Sequence, residues 1–457
     1  MNSFMMAFGL AGIMLCVGMV LRARLVFLRR MLVPASVIGG IIGMILMNIL
    51  PMTNVDIGAD SGMYTNIVNN LFTISFISIS LTGSAQGHGA SKKEIMRGAV
   101  GMGMVWCLLY ALTPIIAAVI IGLAGKSVGM GSIYGFLIQF AFCQGPGQSA
   151  AYGAIFEQFG IENASMTAIT FSTIGFIVAF LVGIPAAKAG ITSGIAKHCG
   201  RLDEPVLRGY LKKQEQTEYM IKDTTCNSNI ETLSFHFALI GVCYVLAVGI
   251  SKILSLIPGF LGTSMGSMMF MNGMYAAYIV KWIMKKLRLD FLQENILQGK
   301  ITGWTADYLV VCAFMAVSFQ VIQKWLLVIL LVSVVITVVT FVICFYFGQR
   351  FGGDNDFERT LGLYGTCTGT VPSGIALVRI VDPDFHTQTS IELGACNLVM
   401  LASTPVYIII LALASGSIGI AFAIMGLAGC VIAYLVVLKV TKLWGNKTFS
   451  WKNNRKI

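Results

Sequence analysis

Charge is what this chain has least of. Asp, Glu, Lys and Arg together make 11% of its 457 residues, against about 25% in soluble globular proteins. A surface solvated by water cannot be assembled from so few charges, so lipid must solvate much of the molecule. Soluble enzyme, disordered scaffold and secreted disulfide domain are excluded on that ground. CxxC motifs are also absent, and most of the 11 Cys sit inside apolar runs, as at Cys107, Cys243 and Cys312. They read as small buried hydrophobes, not as disulfides or metal ligands. The four His (His88, His198, His236, His386) show no metal-ligand spacing. Gly125-Lys126-Ser127 imitates the end of a phosphate-binding loop, but Ile120 stands where that loop needs its first Gly. No pair of catalytic side chains falls within an apolar run, which leaves an intramembrane enzyme without its chemistry. Acids are scarce there too. Glu157, Asp307 and Glu392 come closest, and all three are expected near run ends, within reach of the interface. Proton carriers usually place a titratable group deep in the membrane, so neutral oxygens coordinating sodium fit this chain better.

What the chain does have is hydrophobic residues at 56%, a mean hydropathy of +0.82 and 50 Gly. Gly in that number suits close helix packing in a bilayer. Charge-free stretches predict eleven spans: 1–21, 31–55, 61–91, 98–125, 163–187, 232–251, 253–280, 308–323, 325–349, and two within 393–438 separated at Ser415-Gly416-Ser417. No basic residue precedes the first run, and Arg22, Arg24, Arg29 and Arg30 follow it. A cleavable signal has the opposite order, so this run reads as a retained helix with its N-terminus outside. Pro114 and Pro405 are expected to kink their helices, and Asn163 to cap the helix after it.

Residues 131–157 and 359–380 are poor simple spans. Each carries a polar, Gly- and Pro-containing break at its centre, CQGPGQS at 143–149 and TCTGTVPS at 366–373. Such backbone is tolerated at membrane depth where it is buried in protein or lines a cavity, so both read as re-entrant hairpins. With the N-terminus outside, 28 of the 31 basic residues then fall inside and only Lys126, Lys252 and Lys324 outside, as the positive-inside rule requires. The net charge of +11 therefore reports orientation in a plasma (inner) membrane, with a cytoplasmic C-terminus, and not a nucleic-acid partner.

The polar segment 189–233 reads as a cytoplasmic linker between a first repeat, 1–188, and a second, 234–414. Residues 415–457 add one span and a basic tail. Five spans in the first repeat is an odd number, so the second lies upside down relative to it. The two breaks both fit C-x-G-x-x-x-S-[AG], 224 residues apart, and Ser84-x-Gln86 is echoed by Ser318-x-Gln320. The expected fold is an all-α polytopic membrane protein of two inverted five-helix repeats, each with a re-entrant hairpin, plus an extra C-terminal transmembrane helix. This is the signature of an inverted-repeat secondary transporter, which binds substrate and ion between broken helices near the midplane.

The candidate site follows from that geometry. A half-helix starting at each break points unpaired N–H groups at the tip, which suits a carboxylate. The half-helix before it ends in unpaired carbonyls, which suit sodium. Gln144, Gln148 and Ser149 add side-chain groups to the first tip, and Thr366, Thr368, Thr370 and Ser373 to the second. Packing by small and hydroxyl residues is the competing reading of each hydroxyl. Arg379 is placed either to meet an anionic substrate or to anchor at the interface.

At this point the chain resembles a known family. FEQFGIENAS at 156–165, TIG at 173–175, PASVIGG at 34–40 and GTCTGTVPS at 365–373 are similar to stretches of bacterial sodium/glutamate symporters, and the likeness runs over roughly 30–413. The resemblance implies sodium-coupled symport of an acidic amino acid by a homodimer whose transport domain moves like an elevator against a fixed scaffold. It also implies that residues 143–149, including Cys143, Gly145 and Gly147, and residues 366–373, including Gly369, hold substrate and sodium. Thr173 and Gly175 would face the site. The final span has no counterpart in the core pattern. The expected function is symport of glutamate or a related small organic anion with sodium and with no cofactor. The alternatives are another carboxylate or amino acid, proton coupling, export, and a channel.

Overall fold

The computed structural model describes all residues except 1–2, 31–32, 51–57, 83–91, 197–222, 227, 259, 320–322, 383–385 and 451–457. The second Ser-x-Gln pattern (Gln320), the first (Ser84, Gln86), His88, His198 and most of the 189–233 linker therefore lie outside the described residues. Within them the protein is all-helical. Seven helical stretches are long and apolar enough to cross a membrane: Ser3–Arg24, Lys93–Val128, Ala164–Thr192, Thr232–Leu254, Leu326–Gly348, Thr389–Ala414 and Ile420–Val440. This is a multi-pass membrane protein.

In chain order, α1 (Ser3–Arg24), α2 (Ala35–Ile49), α3 (Ser61–Leu81) and α4 (Lys92–Ala124) lead to a short 3-10 turn, Ser132–Leu137. There follow α5 (Ile138–Phe142), α6 (Pro146–Gln158), α7 (Ala164–Thr192), α8 (Thr232–Leu254), α9 (Phe260–Ser267), α10 (Met269–Lys286) and α11 (Asn295–Met315). The remainder is α12 (Leu326–Gly348), α13 (Asp356–Thr368), α14 (Val371–Val381), α15 (Thr389–Val399), α16 (Thr404–Ala414) and α17 (Ile420–Val440).

Local sequence explains most boundaries. Asp60 caps α3 by accepting from Met63 N at 2.7 Å, and Glu231 caps α8 by accepting from Ser234 N at 2.9 Å. Pro146 opens α6 at a first-turn position, where its missing N–H costs nothing. Pro114 lies inside the continuous α4. Pro405 lies at an interruption of the Thr389–Ala414 stretch and not within a continuous helix. A 3-10 turn, Met400–Ser403, separates α15 from α16, and Pro405 sits in the first turn of the latter. Asn163 stands at the N-cap of α7 with φ +56° but makes no side-chain cap bond. Glu157 does that work, accepting from Ser165 N at 2.9 Å and Ser165 Oγ at 3.0 Å. The span expected at 308–323 begins earlier, because α11 carries Lys300 and Asp307 within it. A charge-free window could not see that helix whole.

The helices pack as two groups. In the first, α11 lies on α2 and α3, α1 on α2, and α10 on α3 and α8. Gly18 and Gly39 let α1 and α2 approach backbone to backbone, the small-residue contact that membrane helices favour. In the second, α4 packs on α12, α15 and α17, α7 on α6 and α13, and α13 on α12 and α14. The groups meet mainly where α3 and α11 touch α6 and where α11 touches α7. The C-terminal segment belongs to the second group. After α17, Thr448 Oγ1 donates to Asp356 Oδ2 at 2.8 Å and Phe449 packs edge-on to Phe357 at 5.3 Å. The chain end thus braces the root of α13.

Candidate functional site

Both predicted breaks are helix–break–helix hairpins. In the first, α5 ends at Cys143 and Gly145 turns the chain at φ +85°, a conformation open to Gly because it lacks a Cβ. Phe140 stacks on Tyr152 at 3.8 Å, which closes the two arms on each other. In the second, α13 ends at Gly369 and α14 restarts from Thr370. Gly365 and Gly374 face each other so closely that a Cβ on either would meet the other arm.

The two tips meet. A Cβ at Gly145 would overlap Thr370 Cγ2 and stand 3.0 Å from the Gly369 carbonyl oxygen. Helix α7 completes the junction: a Cβ at Gly175 would lie 2.6 Å from the Thr368 carbonyl oxygen. Gly153 of α6 packs directly on Ser165 of α7. These helices run antiparallel, so eight residues along each brings Gly145 level with Thr173. Phe176, 3.6 Å from a Cβ at Gly145, agrees with that register.

The candidate residues divide by what they already bond. Gln144 is held at both ends of its amide. Tyr110 Oη donates to Gln144 Oε1 at 2.9 Å, and Gln144 Nε2 donates to Tyr407 Oη at 2.6 Å. Trp106 Nε1 donates to the Cys143 carbonyl at 2.7 Å. Ser149 Oγ donates to the Gly145 carbonyl at 2.9 Å. Thr366 and Thr368 donate back to Gly362 and Tyr364 one turn earlier, each at 2.8 Å. Thr370 N donates to Ser373 Oγ at 3.2 Å, closing a cap on α14. Cys143 and Cys367 are buried and face each other across the tips, with side-chain contact between them. Gly147 packs on the Phe72 ring.

Two oxygens stand apart. Gln148 Oε1 and Thr173 Oγ1 are buried and have no hydrogen-bond partner. A buried polar atom left without a partner costs about 1–3 kcal/mol, so each can take a ligand contact, as can Gln139 Oε1 in α5 and Ser172 Oγ beside Thr173. The tips carry no Asp, Glu, Lys, Arg or His. What they offer an ion is helix ends: first-turn N–H groups of α6 and α14, and last-turn carbonyls of α13.

Arg379 is exposed, eight residues and about 12 Å along α14 from its start, so it does not join the tips. Of the three acids, Glu157 is exposed at the end of α6, as expected, while Glu392 is drawn into the protein and Asp307 stands within α11, away from its ends. Glu157 caps α7. Glu392 is fully buried and forms a two-pronged ion pair with Arg359, Nε to Oε2 at 2.7 Å and Nη2 to Oε1. Asp307 sits twelve residues into α11 and hydrogen-bonds Ser36 of α2. Sequence reasoning missed Trp106, Tyr110 and Tyr407, because nothing in an apolar run marks an aromatic as the partner of a distant amide.

The Ser373 hydroxyl has a structural task in this arrangement. Ser373→Ala is expected to cost about 1 kcal/mol, the usual value of a cap, read as a lower melting temperature of the purified protein.

Against known proteins, the family described as sodium/glutamate symporter matches residues 3–386. No curated protein matches the chain. The family match spans most of the chain and both hairpins, and on it the chain belongs to the sodium/glutamate symporter family.

Proposed function

We propose that this protein carries glutamate, or a related small organic anion, into the cell together with sodium, and that both bind where the two hairpin tips meet. Family membership supports sodium/glutamate symport in general. The observation that carries the site is the pair of unpartnered buried oxygens, Gln148 Oε1 and Thr173 Oγ1, beside a tip junction built of opposed helix ends. Sodium takes neutral oxygens of this kind, and an anion takes the N–H groups at the starts of α6 and α14.

The wider reading has the N-terminus outside, the C-terminus cytoplasmic and the protein in the inner membrane as a homodimer. The first repeat is 1–188 and the second 234–414, inverted, with Thr448 and Phe449 of the last segment, 415–457, bracing the second hairpin. The sorting of helices into two groups supports an elevator in which the hairpins and α7 move against α1–α3, α8, α10 and α11.

Uptake of labelled glutamate into proteoliposomes, with a sodium gradient or a proton gradient imposed separately, tests this reading. Sodium-driven uptake is expected, with Gln148→Ala reducing it at least tenfold while the protein remains folded. Equal uptake driven by protons alone would remove the sodium assignment. Proton coupling has one observation in its favour, the carboxylate of Asp307 within α11, bonded to Ser36 of α2, and Asp307→Asn would then abolish uptake.

A further inference from the structure

A cavity of about 320 Å³ lies between α6 of the first hairpin and the helices α3, α8, α9 and α10. That volume is at the small end of the ~300–1,000 Å³ range of ligand pockets. Its polar lining includes Asn69, Asn70, Gln158, Tyr244, Ser251 and Ser267. Ser251 and Gln158 place it at the C-terminal ends of α8 and α6.

Three features bear on what the cavity does. Its lining holds amides and hydroxyls but no Asp, Glu, Lys or Arg. Neutral dipoles replace the hydration of a polar solute without trapping it, which suits passage. Its walls come from both packing groups: α6 on one side, α3, α8 and α10 on the other, with α9 touching α6 and α8 between them. A displacement between the groups changes its width. Polar contact across that boundary includes Ser267 Oγ donating to Gln158 Oε1 at 2.9 Å. Finally, its floor is aromatic. Phe72 and Phe270 line it with ring centroids 5.0 Å apart, and Phe76 closes on both at 4.7 and 5.3 Å. Phe72 also touches Gly147 of the hairpin tip. Phe72 therefore touches both the cavity and the tip.

We propose that this cavity is the vestibule through which a polar amino acid or small carboxylate reaches the tip junction, and that Phe72 and Phe270 are its closed gate. The proposal rests on the transport reading above. Ala154 of α6 faces the cavity without a polar task, so it is the position to test. Ala154→Cys in proteoliposomes is treated with a membrane-impermeant methanethiosulfonate, with the wild-type protein as control for native thiols. Labelling is read by mass and uptake by tracer.

Labelling of Ala154→Cys with at least a tenfold fall in uptake, reversed by reductant and absent in the wild type, is expected. Ser251→Cys on the opposite wall should behave alike, and it serves where Ala154→Cys itself impairs folding. Labelling without change in uptake, or no labelling of either variant while uptake is normal, would overturn the vestibule. A block of uptake that is driven by protons and not sodium would sustain the vestibule and remove the sodium reading.

Discussion

Arg359→Ala is expected to destabilise the protein by about 3–5 kcal/mol and to abolish uptake with it. Arg359 is 4% exposed, and its guanidinium serves two carboxylates, Glu392 through Nε and Nη2 and Asp356 through Nη1 at 3.0 Å. Asp356 and Glu392 are 1% and 0% exposed. Asp356 also accepts from Gly352 N at 2.9 Å and Gly353 N at 3.1 Å. Gly98 of α4 leaves room for the Glu392 carboxylate, which a Cβ there would overlap. The cluster thus ties α13, α15 and α4 together at the root of the second hairpin.

Removing the arginine leaves two carboxylates away from water with no cation. The cost is that uncompensated buried charge, far more than the net worth of the pair. Arg359→Lys keeps the charge but loses the planar fork, so an intermediate loss is expected. Thermal melts and uptake of the three proteins check this. An Arg359→Ala protein within 1 kcal/mol of the wild type would show that the cluster carries little of the hairpin's stability.

Gly145→Ala is expected to reduce uptake more than roughly tenfold, the change that about 1.4 kcal/mol produces. Two costs add at this position. The backbone at φ +85° and ψ −171° lies in a region that is essentially Gly-only and costs about 1–3 kcal/mol for other residues. The new Cβ would also overlap Thr370 Cγ2 and crowd the Gly369 carbonyl, prising the tips apart. Gly160→Ala separates the two effects. Gly160 has the same φ of +85° but nothing within 4 Å of a Cβ. It should lower the melting temperature and leave uptake per folded molecule unchanged. If Gly145→Ala and Gly160→Ala behave alike, tip apposition has no part in transport.

Much of the architecture was legible beforehand. Most apolar runs correspond to helices, but the 253–280 run, expected as one span, is broken at Met268 into α9 and α10; the 393–438 run divides where Ser415-Gly416-Ser417 stands, and both hairpins break at the expected residues. Two further departures share a cause. The window at 308–323 missed the first half of α11 because Lys300 and Asp307 interrupt the apolar signal, while the helix around them is held by α2 and α3. Glu392 looked interfacial because Arg359 is 33 residues away and nothing local announces the pairing.

The candidate site was legible as two breaks but not as a constellation. Gln144 was expected to meet a ligand, yet Tyr110 and Tyr407, the latter 263 residues distant, occupy its amide. Thr366, Thr368 and Ser373 satisfy themselves within their own hairpin. Gln148 and Thr173 emerge as the open positions only once every neighbour is in place.

By itself the sequence determined that this is a helical membrane protein with two interrupted hairpins. Hydropathy, Gly and Pro act on the nearest few residues and on the solvent, so their consequences can be read along the chain. Only the tertiary structure decided which tip oxygens lack partners, that Arg359 neutralises a buried acid pair, and that a polar cavity ends at Phe72 above Gly147. Each of these depends on contacts between residues far apart in the chain, and packing, not periodicity, sets them.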